Sequence, residues 1–223
     1  MTDALEQIII KSWTLNAKPW VKAIRGGLIE SRVRATNKAL LEAICARSPK
    51  KVLDLGCGEG WLARELTPRG VDVLGIDVVE ELCESAQASG AGRYQCLNYA
   101  DVSLSSINES FDVVVANFSL LGKETVEQML QKLPNLLGDQ GALIVQTLHP
   151  ETCSETEPYQ DGWRMGSWDG FRGNFAVAAP WFFRTRESWE SLLESSGFGQ
   201  LEIIEPTYFG ASSPVSIIFV AEE

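Results

Sequence analysis

Cysteine is sparse and scattered in this chain: five residues, at 45, 57, 83, 96 and 153, odd in number and without a Cys-x-x-Cys pair. That pattern argues against structural zinc or any other bound metal and against an iron–sulfur radical centre, and it suits a reducing, cytoplasmic setting. No apolar run approaches the ~20 residues of a membrane-spanning helix, so a membrane is not expected as a partner. The short run Ile8–Ile10 follows the acids Asp3 and Glu6, and no secretory leader is expected there. Low-complexity tracts and internal repeats are absent. Basic charge is in deficit, with 19 Lys+Arg against 30 Asp+Glu and a net charge of −11, which disfavours DNA or RNA as a partner.

What is present points to one α/β domain. At 223 residues the chain can bury a sizeable core but is short for two domains. Its charge is uneven: up to Lys51 there are ten Lys+Arg against four Asp+Glu, and beyond it nine against twenty-six. A basic N-terminal segment is thus attached to an acidic domain. It either docks a helical layer or brings a cation to an anionic group of a ligand.

The stretch Lys51–Leu66, KVLDLGCGEGWLAREL, organises the rest. Val52 to Leu55 reads as a buried strand entering a glycine loop. Trp61, Leu62 and Leu66 recur at helical spacing until Pro68 and Gly70. Strand, glycine loop and helix open a ligand-binding α/β unit, in which glycine lets backbone N–H groups approach a ligand. The spacing Gly56-x-Gly58-x-Gly60 departs from Gly-x-Gly-x-x-Gly, since Trp61 stands where the last glycine of a dinucleotide fingerprint belongs. Asp54 before the loop and Glu59 within it would repel a pyrophosphate and favour an ammonium or a sulfonium.

DLGCGEG at 54–60 resembles motif I of the class I S-adenosylmethionine-dependent methyltransferases of small-molecule type. The resemblance spans roughly residues 50–222. It implies a doubly wound, seven-stranded, mostly parallel sheet in the order 3-2-1-4-5-7-6, strand seven antiparallel, with helices on both faces. It also implies S-adenosylmethionine as cofactor and a small-molecule acceptor methylated at oxygen or nitrogen. A single domain over 1–223 is expected to comprise a helical lid (1–49), a cofactor-binding core (50–149), an aromatic-rich acceptor-side loop (150–184), and a closing helix and hairpin (185–223). A monomer or a homodimer fits equally. Two other readings stand beside this one: a binding protein that kept the fold without the transfer, and, weakened by Asp54 and Trp61, a nicotinamide-dependent oxidoreductase.

In the lid, helices are expected over 4–18 and 31–47, with Pro19 and Gly26-Gly27 breaking the first. Such segments commonly fold over the cofactor in this superfamily. Arg25, Arg32 and Arg34 are then candidates to meet its carboxylate, with Trp20 as apolar cover; the bland alternative is a solvated helix face. In the core, backbone at Gly56, Cys57 and Gly58 would line the cofactor. The strand 72–76 ends at Asp77, about 20 residues past the first glycine, where the family's carboxylate takes the ribose hydroxyls and the following residue, Val78, lies under adenine. Asp77 could instead cap the helix 79–88. After a strand at 93–97, Asp101 resembles the acid that meets the adenine amino group, with Tyr99 or Ala100 along the ring, or else forms an Asx turn. The strand 111–118 is apolar throughout, as a strand buried on both faces should be. Asn117 opens at its cleft end without the Pro-Pro-Tyr/Phe that follows in nucleobase and protein-amide methyltransferases.

A helix is expected over 123–137 and a fifth strand over 141–148, delivering His149, the only histidine, to its tip. A histidine there suits a general base or an acceptor contact; a loop histidine held by backbone is the alternative. The connection 151–184 carries eight aromatics, either covering an apolar acceptor or forming a satellite cluster or dimer contact. Tyr159, Trp163 and Arg184 are its candidates for substrate contact. Arg164 and Arg172 could take an acceptor carboxylate, and Glu151, Glu155, Glu157, Asp161 and Asp169 an amine. A helix capped by Thr185 and ended by Gly197, then strands 201–205 and 215–221, complete the reading.

Overall fold

The computed structural model describes residues 2–154 and 157–223; Glu155 and the side chain of Asp3 lie outside what it describes. Helix α1 (Thr2–Arg25) and α2 (Asn37–Ala46) precede β1 (Lys51–Leu55), α3 (Trp61–Leu66), β2 (Asp72–Asp77), α4 (Glu80–Gln87) and β3 (Arg93–Cys96). Then come α5 (Leu104–Ile107), β4 (Phe111–Asn117), α6 (Glu124–Leu130), β5 (Leu137–Thr147), β6 (Gly162–Met165), β7 (Pro180–Phe183), α7 (Arg186–Ser195), β8 (Gln200–Ile204) and β9 (Ile217–Glu222). The main sheet runs β3-β2-β1-β4-β5-β9-β8, and β9 is antiparallel to both neighbours. This is the expected order, with the separate β6–β7 hairpin inserted before the last two strands.

Alternation along the strands builds a core on each face. Leu53, Leu55, Val114 and Leu143 pack with Met129 of α6 and Trp189 and Leu193 of α7. Val52, Val113, Val115 and Ile144 pack on the opposite face with Leu40 and Ile44 of α2 and Leu62 of α3. Fully burying each such side chain contributes about 1.5–3 kcal/mol relative to exposure.

Two helix boundaries differ from expectation. Pro19 does not break α1, which continues to Arg25. Ala17 packs with Val79 and Leu82 beside α4, and this burial outweighs the hydrogen bond that proline removes. The helix ends instead at Gly26-Gly27, where Leu28 N–H donates back to Ala23 O and Gly27 takes φ +61°, a glycine C-terminal motif. The helix expected over 123–137 stops at Leu130; a tight turn at Leu133–Leu136 containing Pro134 follows, and β5 begins at Leu137. The second lid helix opens with a π-helical turn at Arg32–Thr36 that buries Arg32.

Candidate active site

The C-terminal ends of β1, β2 and β4 converge on a cavity of about 240 Å³. It lies where the strand order reverses, the usual ligand crevice of an open α/β sheet. The loop after β1 forms its floor. Gly56 and Gly58 adopt φ +71° and +56°, conformations costly for a residue with a Cβ. Space imposes the same choice at Gly56, where a Cβ would collide with Ser119 and the Tyr99 hydroxyl, whereas one on Gly58 would make an ordinary contact at 3.4 Å from Trp20 Nε1. The loop backbone is therefore bare toward the cavity.

Charged groups surround this floor. Asp54 and Asp77 are both buried and line the cavity. Asp77 accepts from Gly58 N–H and Val79 N–H at 2.9 Å each, which ties the loop to the end of β2; the cap of α4 is Val79, not Asp77. Burial pushes the Asp77 carboxyl up while those N–H groups pull it down. Burial also pushes Asp54 up to about 7, the Asp77 charge adds to this, and the Arg32 guanidinium opposes it.

The three candidate arginines separate clearly. Arg25 pairs with Glu59 at 2.8 Å and donates to Ser85, outside the cavity wall. Arg34 pairs with Glu30 in solvent. Arg32 is 7% exposed and lines the cavity, and among the described residues its Nε has no hydrogen-bond partner. Trp20 and Trp61 lie 5.8 and 5.0 Å from its guanidinium carbon. Burial lowers its pKa to about 10, with Asp54 and Glu59 opposing the fall, so it stays charged at neutral pH. Glu59, which reads in the sequence as a free loop charge, is neutralised by Arg25 and Arg64.

Cys57, Val78 and Asn117 line the cavity, and among the described residues the buried Asn117 Oδ1 has no hydrogen-bond partner. Asp101 does not reach it. The cavity edge is Asn98, Tyr99 and Ala100, while the Asp101 side chain faces solvent one residue beyond. Of α1, sequence reasoning picked out Trp20 and missed Glu6, Ile10, Trp13 and Ile24, which line the wall with it; their spacing by three, four and seven residues is a helical face that could have been read.

A second cavity of about 290 Å³ adjoins the first, sharing Trp13, Trp20, Arg32, Phe118 and Leu121. Phe118, just past β4, has φ +54°, an uncommon conformation for a bulky residue and of a kind that clusters at functional sites. The far wall comes from the inserted hairpin. Phe182 N–H donates to Leu121 O at 2.8 Å. The excursion between β6 and β7 is latched to α1, since Ser12 Oγ donates to Val177 O and Ala176 N–H donates to Asn16 Oδ1, each at 2.7 Å. Trp168 stacks on Phe175 and meets Trp13 edge-on.

Several expected acceptor contacts lie elsewhere. His149 lines neither cavity; it is 2% exposed and its Nε2 lies 2.9 Å from Glu205 Oε1. Tyr159 is exposed, donating to Glu187 and accepting from Arg186 N–H. Trp163 meets Phe182 edge-on without joining the wall. Arg164 is occupied by Glu157 and the carbonyls of Cys153 and Pro158. Arg172 is exposed. Among the acids, Asp161 accepts from Thr185 N–H and Ser188 Oγ at the start of α7, and Glu151, Glu157 and Asp169 join neither wall. Arg184 does line the second cavity, held by Gly122 O, Lys123 O and Glu127.

A doubly wound sheet closed by an antiparallel last strand, with an acid-flanked glycine loop at its switch point, defines the Rossmann-like methyltransferase fold. The chain belongs to the methyltransferase family whose domain model matches residues 29–203. It is 27% identical over 182 residues to an uncharacterized methyltransferase of Schizosaccharomyces pombe, covering 78% of this chain and 68% of that protein. It is 30% identical over 154 residues to an uncharacterized methyltransferase of Mycobacterium bovis, covering 68% and 71%. Among solved structures, the DhpI–SAM–HEP complex aligns over 100% of both chains with a TM-score of 0.69 at 16% identity.

Proposed function

We propose that the chain transfers a methyl group from S-adenosylmethionine to oxygen or nitrogen of a small molecule, with the cofactor in the first cavity and the acceptor in the second. The observation that carries this reading is the polar set of the first cavity: bare glycine backbone, two buried acids, an unpartnered amide oxygen at Asn117 and an unpartnered buried guanidinium at Arg32. These groups fit S-adenosylmethionine, which carries hydroxyls, a carboxylate, an ammonium and a sulfonium. Asp77 would hold the ribose hydroxyls, Arg32 the carboxylate, and Asp54 would offset positive charge, while Val78 and Tyr99 would flank the adenine. Bound there, the cofactor supplies an electrophilic methyl group.

The protein's own contribution is alignment and exclusion of water. Phe118 and Leu121, shared by both cavities, fix the border across which donor and acceptor face each other. Trp13 and Trp20 close it from α1, and the latch to residues 176–177 closes it from the hairpin. The direct test is incubation with methyl-labelled S-adenosylmethionine and the small-molecule fraction of a cell extract. Label should move to a small molecule; binding with no turnover would leave only the fold-retaining binding protein.

A further inference from the structure

We propose that the acceptor is an apolar carboxylic acid, methylated on its carboxylate oxygen; the proposal rests on the cavity assignment above. Among the described residues, the second cavity is lined by no aspartate, glutamate, histidine, cysteine or tyrosine. Its walls are mainly aromatic and aliphatic, from Leu120 and Leu148 to Trp168, Phe171 and Trp181, with the hydroxyl residues Ser31, Thr147 and Ser167 among them. Its only charged groups are two guanidiniums: Arg32, shared with the first cavity, where the cofactor's carboxylate would engage it, and Arg184, which lines the second cavity alone. Arg184 is fixed by three acceptors and lies 4.8 and 5.1 Å from the rings of Phe182 and Trp189.

That inventory separates the acceptor chemistries. An alcohol or phenol must lose a proton as it is methylated, and the wall provides no group to receive it. A protonated amine would enter a low-dielectric pocket beside the Arg184 cation, with no carboxylate in its lining to offset the amine's charge. A carboxylate meets neither obstacle. It is ionised at neutral pH, and a guanidinium is its best-matched partner. In the transfer, a carboxylate lone pair forms the O–C bond while the methyl–sulfur bond breaks and its electron pair stays on sulfur. The products are a methyl ester and a neutral thioether, and no proton is released. The apolar walls, rather than further polar contacts, select the rest of the acceptor.

The test uses the wild-type protein saturated with S-adenosylhomocysteine and three isosteric probes: 3-phenylpropionate, 3-phenylpropanamide and 3-phenylpropylamine. Binding is followed by quenching of tryptophan fluorescence, since Trp168, Trp181 and Trp189 line the cavity. The carboxylate should bind at least about tenfold more tightly than the amide, the scale of one charge-assisted hydrogen bond, and the amine should not saturate. Equal affinity for carboxylate and amide, preference for the amine, or quenching by none of the three would overturn the proposal. Binding of the carboxylate to the cofactor-free protein that is lost once S-adenosylhomocysteine is added would overturn it as well, because the probe would then occupy the cofactor cavity. A protein that fails to bind S-adenosylhomocysteine fails the cofactor assignment instead, a separate outcome read before any probe is added.

Discussion

The side chain with the most telling electrostatics is Asp54. Its folded-state pKa of about 7 lies above the ~3.9 of an unfolded aspartate, so the folded protein holds this proton more tightly than the unfolded chain does. The sign follows: the contribution of Asp54 to stability is greatest below about pH 4 and is lost as pH rises toward 7. Asp54→Asn should therefore raise the melting temperature of the ligand-free protein by several degrees at pH 8 and leave little change at pH 4; equal melting temperatures at pH 8 would count against the buried charge. A cationic cofactor selects the ionised form, so affinity measured by calorimetry should climb through about pH 7 in the wild type and stay flat in Asp54→Asn. His149 is the converse case, a residue placed by sequence at a strand tip that lines neither cavity and whose Nε2 lies 2.9 Å from Glu205 Oε1. His149→Gln should keep the transfer rate within roughly threefold and lower stability by the ~1–3 kcal/mol of a disturbed buried polar contact. A pH–rate profile that loses a limb in this variant would restore the histidine as a base.

At the scale of elements, the glycine loop and α7 make separable predictions. Gly58→Ala meets a left-handed φ of +56° and places its methyl group in contact with Trp20 Nε1. The backbone cost alone is about 1–2 kcal/mol, and the methyl group intrudes on the cavity floor. Loss of cofactor affinity should therefore exceed loss of stability, as calorimetry and thermal melts on one sample would show. Thr185→Ala removes the acceptor of Ser188 N–H at 3.1 Å. It should cost about 1 kcal/mol with cofactor affinity unchanged, because α7 packs on the sheet face away from the glycine loop. Legibility also divides at this scale. The central strands β1, β4 and β5 were readable as apolar runs bounded by turn residues, while β6 and β7, inside the 151–184 connection, were not read as strands. The course of α1 was not, because a local rule about Pro19 was outweighed by packing of Ala17 against residues some 60 positions away. Choosing among Arg25, Arg32 and Arg34 needed their partners Glu59 and Glu30 in space, which spacing along the chain does not carry.

For the whole molecule, the main sheet order was implied by the family resemblance carried at residues 54–60, while the border between two cavities was not legible in the sequence. That border is assembled from α1, the residues after β4, the π-helical turn and the hairpin excursion. In sequence these appear as a basic helix, a strand end and an aromatic loop. Asp101 shows the limit on a small scale: the right loop was found, but the chain turns so that Asn98 to Ala100 face inward. The central claim is that the first cavity binds S-adenosylmethionine through the acid ending β2. Calorimetry with S-adenosylhomocysteine on the wild type and on Asp77→Asn measures it most directly. The account predicts one site per chain and at least about tenfold weaker binding in the variant, the worth of a lost charged hydrogen bond. No binding by the folded wild type, or equal binding by both proteins, would contradict it.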